Sequence, residues 1–168
     1  MNWWQSIILI TIFYFVAIFQ NSFLVYFKLF GVELNLIFIL FFLFCFFSKN
    51  NYLKIIFLSL LAGFLLDVFS VLFIGPSILL CLVIGLFIKK IKSQLKETDN
   101  KDSIFSFLIL FSVSFVAYNA LYLFFADSLI INWNLLADYI YNLCIAIVLF
   151  FIFKFFLIKN KQYFWKNV

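Results

Sequence analysis

Few residues in this chain could do chemistry, and most of them stand inside long apolar runs: Gln20, Asn21 and Ser22, then Asp67 and Ser70, then Ser77, Tyr118, Asn119 and Asn142. The sequence has no His, which removes the commonest general base and metal ligand. Within the apolar runs no two carboxylates stand at helical spacing, and no Gly-rich loop is placed to cradle a phosphate. Cys45, Cys81 and Cys144 are isolated from one another and read as small core- or lipid-facing residues, not as ligands or redox pairs. An enzyme is not expected from these parts, and neither is a cofactor or a metal.

The elements that must hold these groups follow from composition. Apolar and aromatic residues make up 68% of the chain, charged residues only 11%, and the mean hydropathy is +1.21. A soluble domain is about half apolar and about a quarter charged, so the expected solvent is lipid. The sequence predicts an all-α, polytopic integral membrane protein with a single transmembrane domain over residues 1–168. The net charge of +5 comes from 12 lysines against seven acids. Because those lysines are clustered, they report on orientation and not on a nucleic-acid partner. The N-terminal residues lack a basic region and a small-residue cleavage site, so the first run is expected to stay as a helix.

Six segments approach the length of a span: Ile7 to Phe27, Leu34 to Phe47, Leu53 to Ile74, Pro76 to Ile88, Ile104 to Phe125, and Asp138 to Ile158. The second and fourth are short and must recruit their flanks, failing which the count drops to five or four. Lysine placement favours six. With both termini in the cytoplasm, every lysine except Lys28 falls inside, as the positive-inside rule requires. Trp3, Trp4, Trp133 and Trp165 then occupy interface positions. The Lys-rich segment 89–103 reads as a cytoplasmic loop touching anionic headgroups or docking a partner, and 159–168 as a cytoplasmic tail.

In this topology the polar groups collect in the outer part of the bilayer. An acid there costs a few kcal/mol unless it is paired, neutral or hydrated, so Asp67 should face inward. It is expected to share a hydrogen-bonded environment with some of Gln20, Asn119, Asn142 and Ser77. Ser59, Gly63 and Asp67 recur at i, i+4, i+8 on one face, and Ser59 with Gly63 forms a small-xxx-small pattern that admits a neighbouring helix. Gly75-Pro76 predicts a tight turn, with Pro opening the next helix. The plain reading of all these groups is helix-helix glue. The sharper readings are an outward-facing pocket for a small solute and a helix arrangement that a partner's helix recognises.

Gly63-x-x-x-Asp67-x-x-Ser70, followed by Gly75 and Ser77, resembles the element at the third span and following turn of the MreD family of rod shape-determining membrane proteins. Gln20, Asn35 and Asn142 are weaker echoes. Val71 departs from the family pattern where a Gly often follows the Ser, and Leu34 departs where a Pro often precedes the second span. The resemblance implies a non-enzymatic scaffold in the bacterial inner membrane that supports rod shape and lateral peptidoglycan synthesis. Its implied partners are MreC, the actin-like MreB, RodA and a penicillin-binding transpeptidase. The alternative is the substrate-binding subunit of an energy-coupling-factor vitamin transporter, whose six-helix fold the MreD family resembles. Such subunits usually show a small-residue face on the first helix, where this chain offers only Ala17.

Overall fold

The computed structural model describes residues 3–26, 31–48, 52–70, 73–94, 100–125 and 133–159. Among them are six α-helices, one 3₁₀ turn and no strand. The helices are α1 (Trp3–Ser22), α2 (Leu36–Phe47), α3 (Tyr52–Val68), α4 (Pro76–Gln94), α5 (Asn100–Phe125) and α6 (Trp133–Lys159), with the turn Leu24–Tyr26 following α1. Lys28, Lys49, Val71, Ser128, Trp165 and the tail 160–168 lie outside the described residues.

Several boundaries depart from the sequence reading: α1 opens at Trp3, α3 ends at Val68 and α6 opens at Trp133, and two further departures bear on the site. Segment 89–103 is not one loop, because α4 continues through the lysines to Gln94 and α5 begins at Asn100. Lys and Gln are good helix formers, and cations near a helix C-terminus meet its negative dipole end. The second departure is at α2, which starts at Leu36 and has only 12 residues. At 1.5 Å per residue it is about 18 Å long, shorter than a bilayer's hydrocarbon core.

Helix α2 is nonetheless the centre of the molecule. Ile37, Phe38, Ile39, Phe41, Phe42 and Leu43 are fully buried, and α2 packs against α1, α3, α4 and α6. Phe38, Phe42 and Phe46 recur every four residues and so form a ladder on one face. They meet Phe107, Phe111 and Phe115 of α5 in reverse order, which makes α2 and α5 antiparallel. The Phe42 and Phe111 centroids are 5.2 Å apart at 90°, and those of Phe46 and Phe107 are 5.4 Å apart at 85°. These are the edge-to-face arrangements that ring quadrupoles favour. Phe150 of α6 closes the stack at 4.5 Å from Phe107.

Much of the exterior is apolar as well. Phe15 on α1, Phe64 on α3, Val83 on α4, Val116 on α5 and Phe155 on α6 are all exposed. Among the described residues two stretches are long and apolar enough to cross a membrane, Ser6–Tyr26 and Leu135–Phe156. Most of each faces outward.

Candidate functional site

Successive helices run in opposite directions, so the end of α1, the start of α2, the end of α3, the start of α4, the end of α5 and the start of α6 meet at one end of the bundle. The polar residues gather there in two groups.

The first group joins α3 to α4. Asp67 is 2% exposed, and its carboxylate accepts hydrogen bonds from the backbone N–H groups of Gly75 (2.7 Å), Ser77 (2.9 Å) and, more weakly, Ile78 (3.4 Å). These are the orphan donors at the start of α4. Pro76 has no N–H to satisfy, and Leu79 N–H bonds to Gly75 O at 3.0 Å, so the first turn of α4 is completely paired. A carboxylate at a helix N-terminus also meets the positive end of the dipole. Ser70 Oγ donates to Asp67 O at 2.9 Å and closes the end of α3. Gly75 has φ +137, a region that side-chain-bearing residues rarely adopt. Gly63 allows the helices to touch, since a Cβ there would stand 2.8 Å from both Ile78 N and Ser77 O. Asp67 thus shares its environment with Ser77, through the backbone, and not with Gln20, Asn119 or Asn142.

Those three amides belong to the second group, which encloses the start of α2. Asn142, fully buried on α6, accepts from Asn35 N–H at 2.8 Å through Oδ1. Its Nδ2 donates to Asp138 Oδ1 (2.8 Å), Asp138 O (3.0 Å) and Glu33 O (3.4 Å). Gln20 of α1 accepts from Ile37 N–H at 3.0 Å. Asn35 caps its own helix by accepting from Phe38 N–H at 3.1 Å. Asn119 of α5 donates to Asp138 Oδ2 at 3.2 Å. Asn21 stands apart from this group and returns its amide to Ala17 O at 2.8 Å. The reason for the cage is the shortness of α2: its N-terminus ends inside the bundle, where its N–H groups need protein acceptors. Sequence reasoning missed Glu33 and Asp138, although Asp138 and Asn142 stand at i, i+4 and so on one face.

Between these groups lies a cavity of about 380 Å³, lined by Gln20, Glu33, Asn35, Ser70, Tyr118 and Asp138 among others. Its wall mixes amides and carboxylates with apolar surface, a lining that could hold a small polar solute. Among the described residues no group of three or more Cys, Asp or Glu could hold a metal. The cysteines are free, with Cys45 and Cys81 buried and Cys144 exposed.

The opposite end carries the cations. Lys92 donates to Phe46 O at the end of α2 and lies over the Phe46 ring at 4.5 Å, while Lys89 lies over the Tyr52 ring. Lys154 on α6 is 5.7 Å from the Phe150 ring. The bundle therefore has an amide and carboxylate end and a lysine end. No protein-family model, curated protein or solved structure matches the chain.

Proposed function

We propose that the chain is a multi-pass protein of the bacterial inner membrane and acts as an MreD-like, non-enzymatic scaffold of the cell-elongation complex. In this role it supports rod shape and lateral peptidoglycan synthesis beside an MreC-like partner, and through it MreB, RodA and a penicillin-binding transpeptidase. The observation that carries the reading is the α3–α4 joint. Gly63, Asp67, Ser70, Gly75 and Ser77 are spread over fifteen positions of sequence, as the MreD-like motif has them, and all act on one turn. A chance match of spacing has no reason to converge on one structural task.

Membrane placement is supported by the exposed apolar belt, with Lys89, Lys92 and Lys154 at one end and Glu33, Asp67 and Asp138 at the other. Six crossings with both termini at the lysine side, in the cytoplasm, fit the alternation of the helices. The short α2 fits as well, because irregular backbone at membrane depth is tolerated where protein encloses it. Depletion in the native host combined with co-purification tests the role. Loss of shape control together with recovery of an MreC-like protein is the expected outcome.

The cavity favours a second reading, the substrate-binding subunit of an energy-coupling-factor transporter, since about 380 Å³ accommodates a small solute. Against it, Ala17 is buried while α1 presents bulky Ile8, Phe15 and Phe19 outward. Normal shape after depletion, with recovery of a transporter ATPase and a stoichiometric vitamin-sized ligand, would overturn the scaffold in its favour.

A further inference from the structure

Lys89 on α4 is only 4% exposed, and its ammonium has no hydrogen-bond partner among the described residues. It lies beneath the ring of Tyr52, the first residue of α3, 3.0 Å from the ring centroid. Cation–π attraction stabilises such a charge, but the ring offers no acceptor for the three ammonium donors. The described acids with described side chains, Glu33, Asp67 and Asp138, are all at the other end of the bundle. Positive charge is reinforced at this spot. Tyr52 opens α3, whose N-terminal dipole is also positive. Lys92, one turn beyond Lys89 on the same face of α4, is committed to Phe46 O. The 58% exposed Tyr52 ring is free on its outer side.

We infer that Lys89, with the first turn of α3, forms a specific site for the phosphate of an anionic phospholipid at the lysine end of the bundle, and that Tyr52 is its cover. The phosphate brings acceptor oxygens and a negative charge to the Lys89 ammonium, which has no hydrogen-bond partner among the described residues, at a depth where headgroups are found. Rotation of Tyr52 toward the outside exchanges a ring face for that phosphate without moving a helix. Exposed Lys90, the next residue on α4, contributes only to the diffuse surface charge. The inference rests on the membrane placement proposed above and is independent of the scaffold role.

The test uses the full-length protein purified in a zwitterionic detergent, with native mass spectrometry and thermal unfolding as readouts. Phosphatidylglycerol, phosphatidylcholine and inorganic phosphate are added in separate arms. Wild type should retain and be stabilised by phosphatidylglycerol in preference to phosphatidylcholine, and inorganic phosphate should not reproduce the effect. Lys89→Gln should weaken phosphatidylglycerol binding about fivefold, the scale of one basic residue at an anionic surface, whereas Lys90→Gln should leave it nearly unchanged. Equal losses in the two variants would reduce the site to general surface charge and overturn the proposal. So would stabilisation by inorganic phosphate alone, or wild type that shows no lipid preference, a result that needs no variant to fold. Should Lys89→Gln not fold, Lys89→Arg must keep the preference. A chain that stays soluble without detergent would instead defeat the membrane placement, which is a separable failure.

Discussion

Asp67 does one job with both carboxylate oxygens, and this sets how it tolerates change. Oδ1 accepts from Ser77 N–H, and Oδ2 accepts from Gly75 and Ile78 N–H. Asp67→Asn keeps one acceptor and should cost about 1 kcal/mol, whereas Asp67→Leu strands several buried donors and should cost roughly 3 kcal/mol or more. Thermal unfolding in detergent and accumulation in the membrane should therefore rank wild type, Asn, then Leu. Equal behaviour of the two variants would mean that the cap contributes nothing. Gly63 and Gly85 make a second contrast on the same hairpin. A Cβ at Gly63 meets backbone atoms of Ser77 and Ile78, while one at Gly85 meets the side chains of Ser59 (2.7 Å) and Ile55 (2.9 Å). Side chains can turn aside and backbone cannot. Gly63→Ala should thus destabilise by about 1–3 kcal/mol and lower the unfolding temperature more than Gly85→Ala does. The opposite ranking would show that α3 and α4 are not in contact at Gly63.

At the scale of elements, the molecule is arranged around a helix too short to reach both ends. Helix α2 holds its place through two kinds of interaction: the phenylalanine ladder along its length, and amides brought by α1 and α6 to its N-terminus. The amides contribute unequally. Asn142 makes four hydrogen bonds to three residues, whereas Gln20 satisfies one N–H group. Asn142→Leu should therefore destabilise by roughly 3 kcal/mol or more, and Gln20→Leu by about 1–2 kcal/mol, as read by thermal unfolding of the purified protein. Comparable effects would indicate that the start of α2 is hydrated from the cavity instead of being held by α6. The two polar groups obey one rule, that a helix N-terminus inside an apolar bundle must receive its acceptors from side chains.

For the whole molecule, the polarity of the two ends predicts its orientation. A reporter fused after Val168 should be active only in the cytoplasm, and a cysteine introduced at Ser128 should be labelled from outside the cell. Labelling of the C-terminus from outside would reverse the bundle and remove the basis for placing the lysine end at the cytoplasmic leaflet. A scaffold in lipid has little hydrophobic drive for association, so a partner helix must use close packing and a few polar contacts. Here Gly63 and Asp67 are consumed internally by the α3–α4 joint. Their contribution to any partner is therefore indirect, through the rigid hairpin they maintain, and the exposed face of that hairpin carries Leu60, Phe64, Leu79 and Val83.

Composition and periodicity alone determined that the chain is helical, roughly where its six helices lie, and that its few polar residues fall late in odd-numbered helices and early in even-numbered ones. These are local properties, readable because hydropathy runs and turn residues such as Gly75-Pro76 act over short stretches of chain. The extension of α4 through its lysines was also a local matter, and there helix propensity outweighed the charge run that reads as a loop. Only the tertiary structure decided which polar groups share a site. Asp67 and Ser77 were legible as neighbours because they flank one turn, but Asn142 meets Asn35 across 107 positions, a distance over which spacing carries no signal. It also decided that Glu33 and Asp138 join the amides and that the shortest helix is the central one. A segment's length sets whether it can span a membrane, but its neighbours determine whether its ends need to reach water.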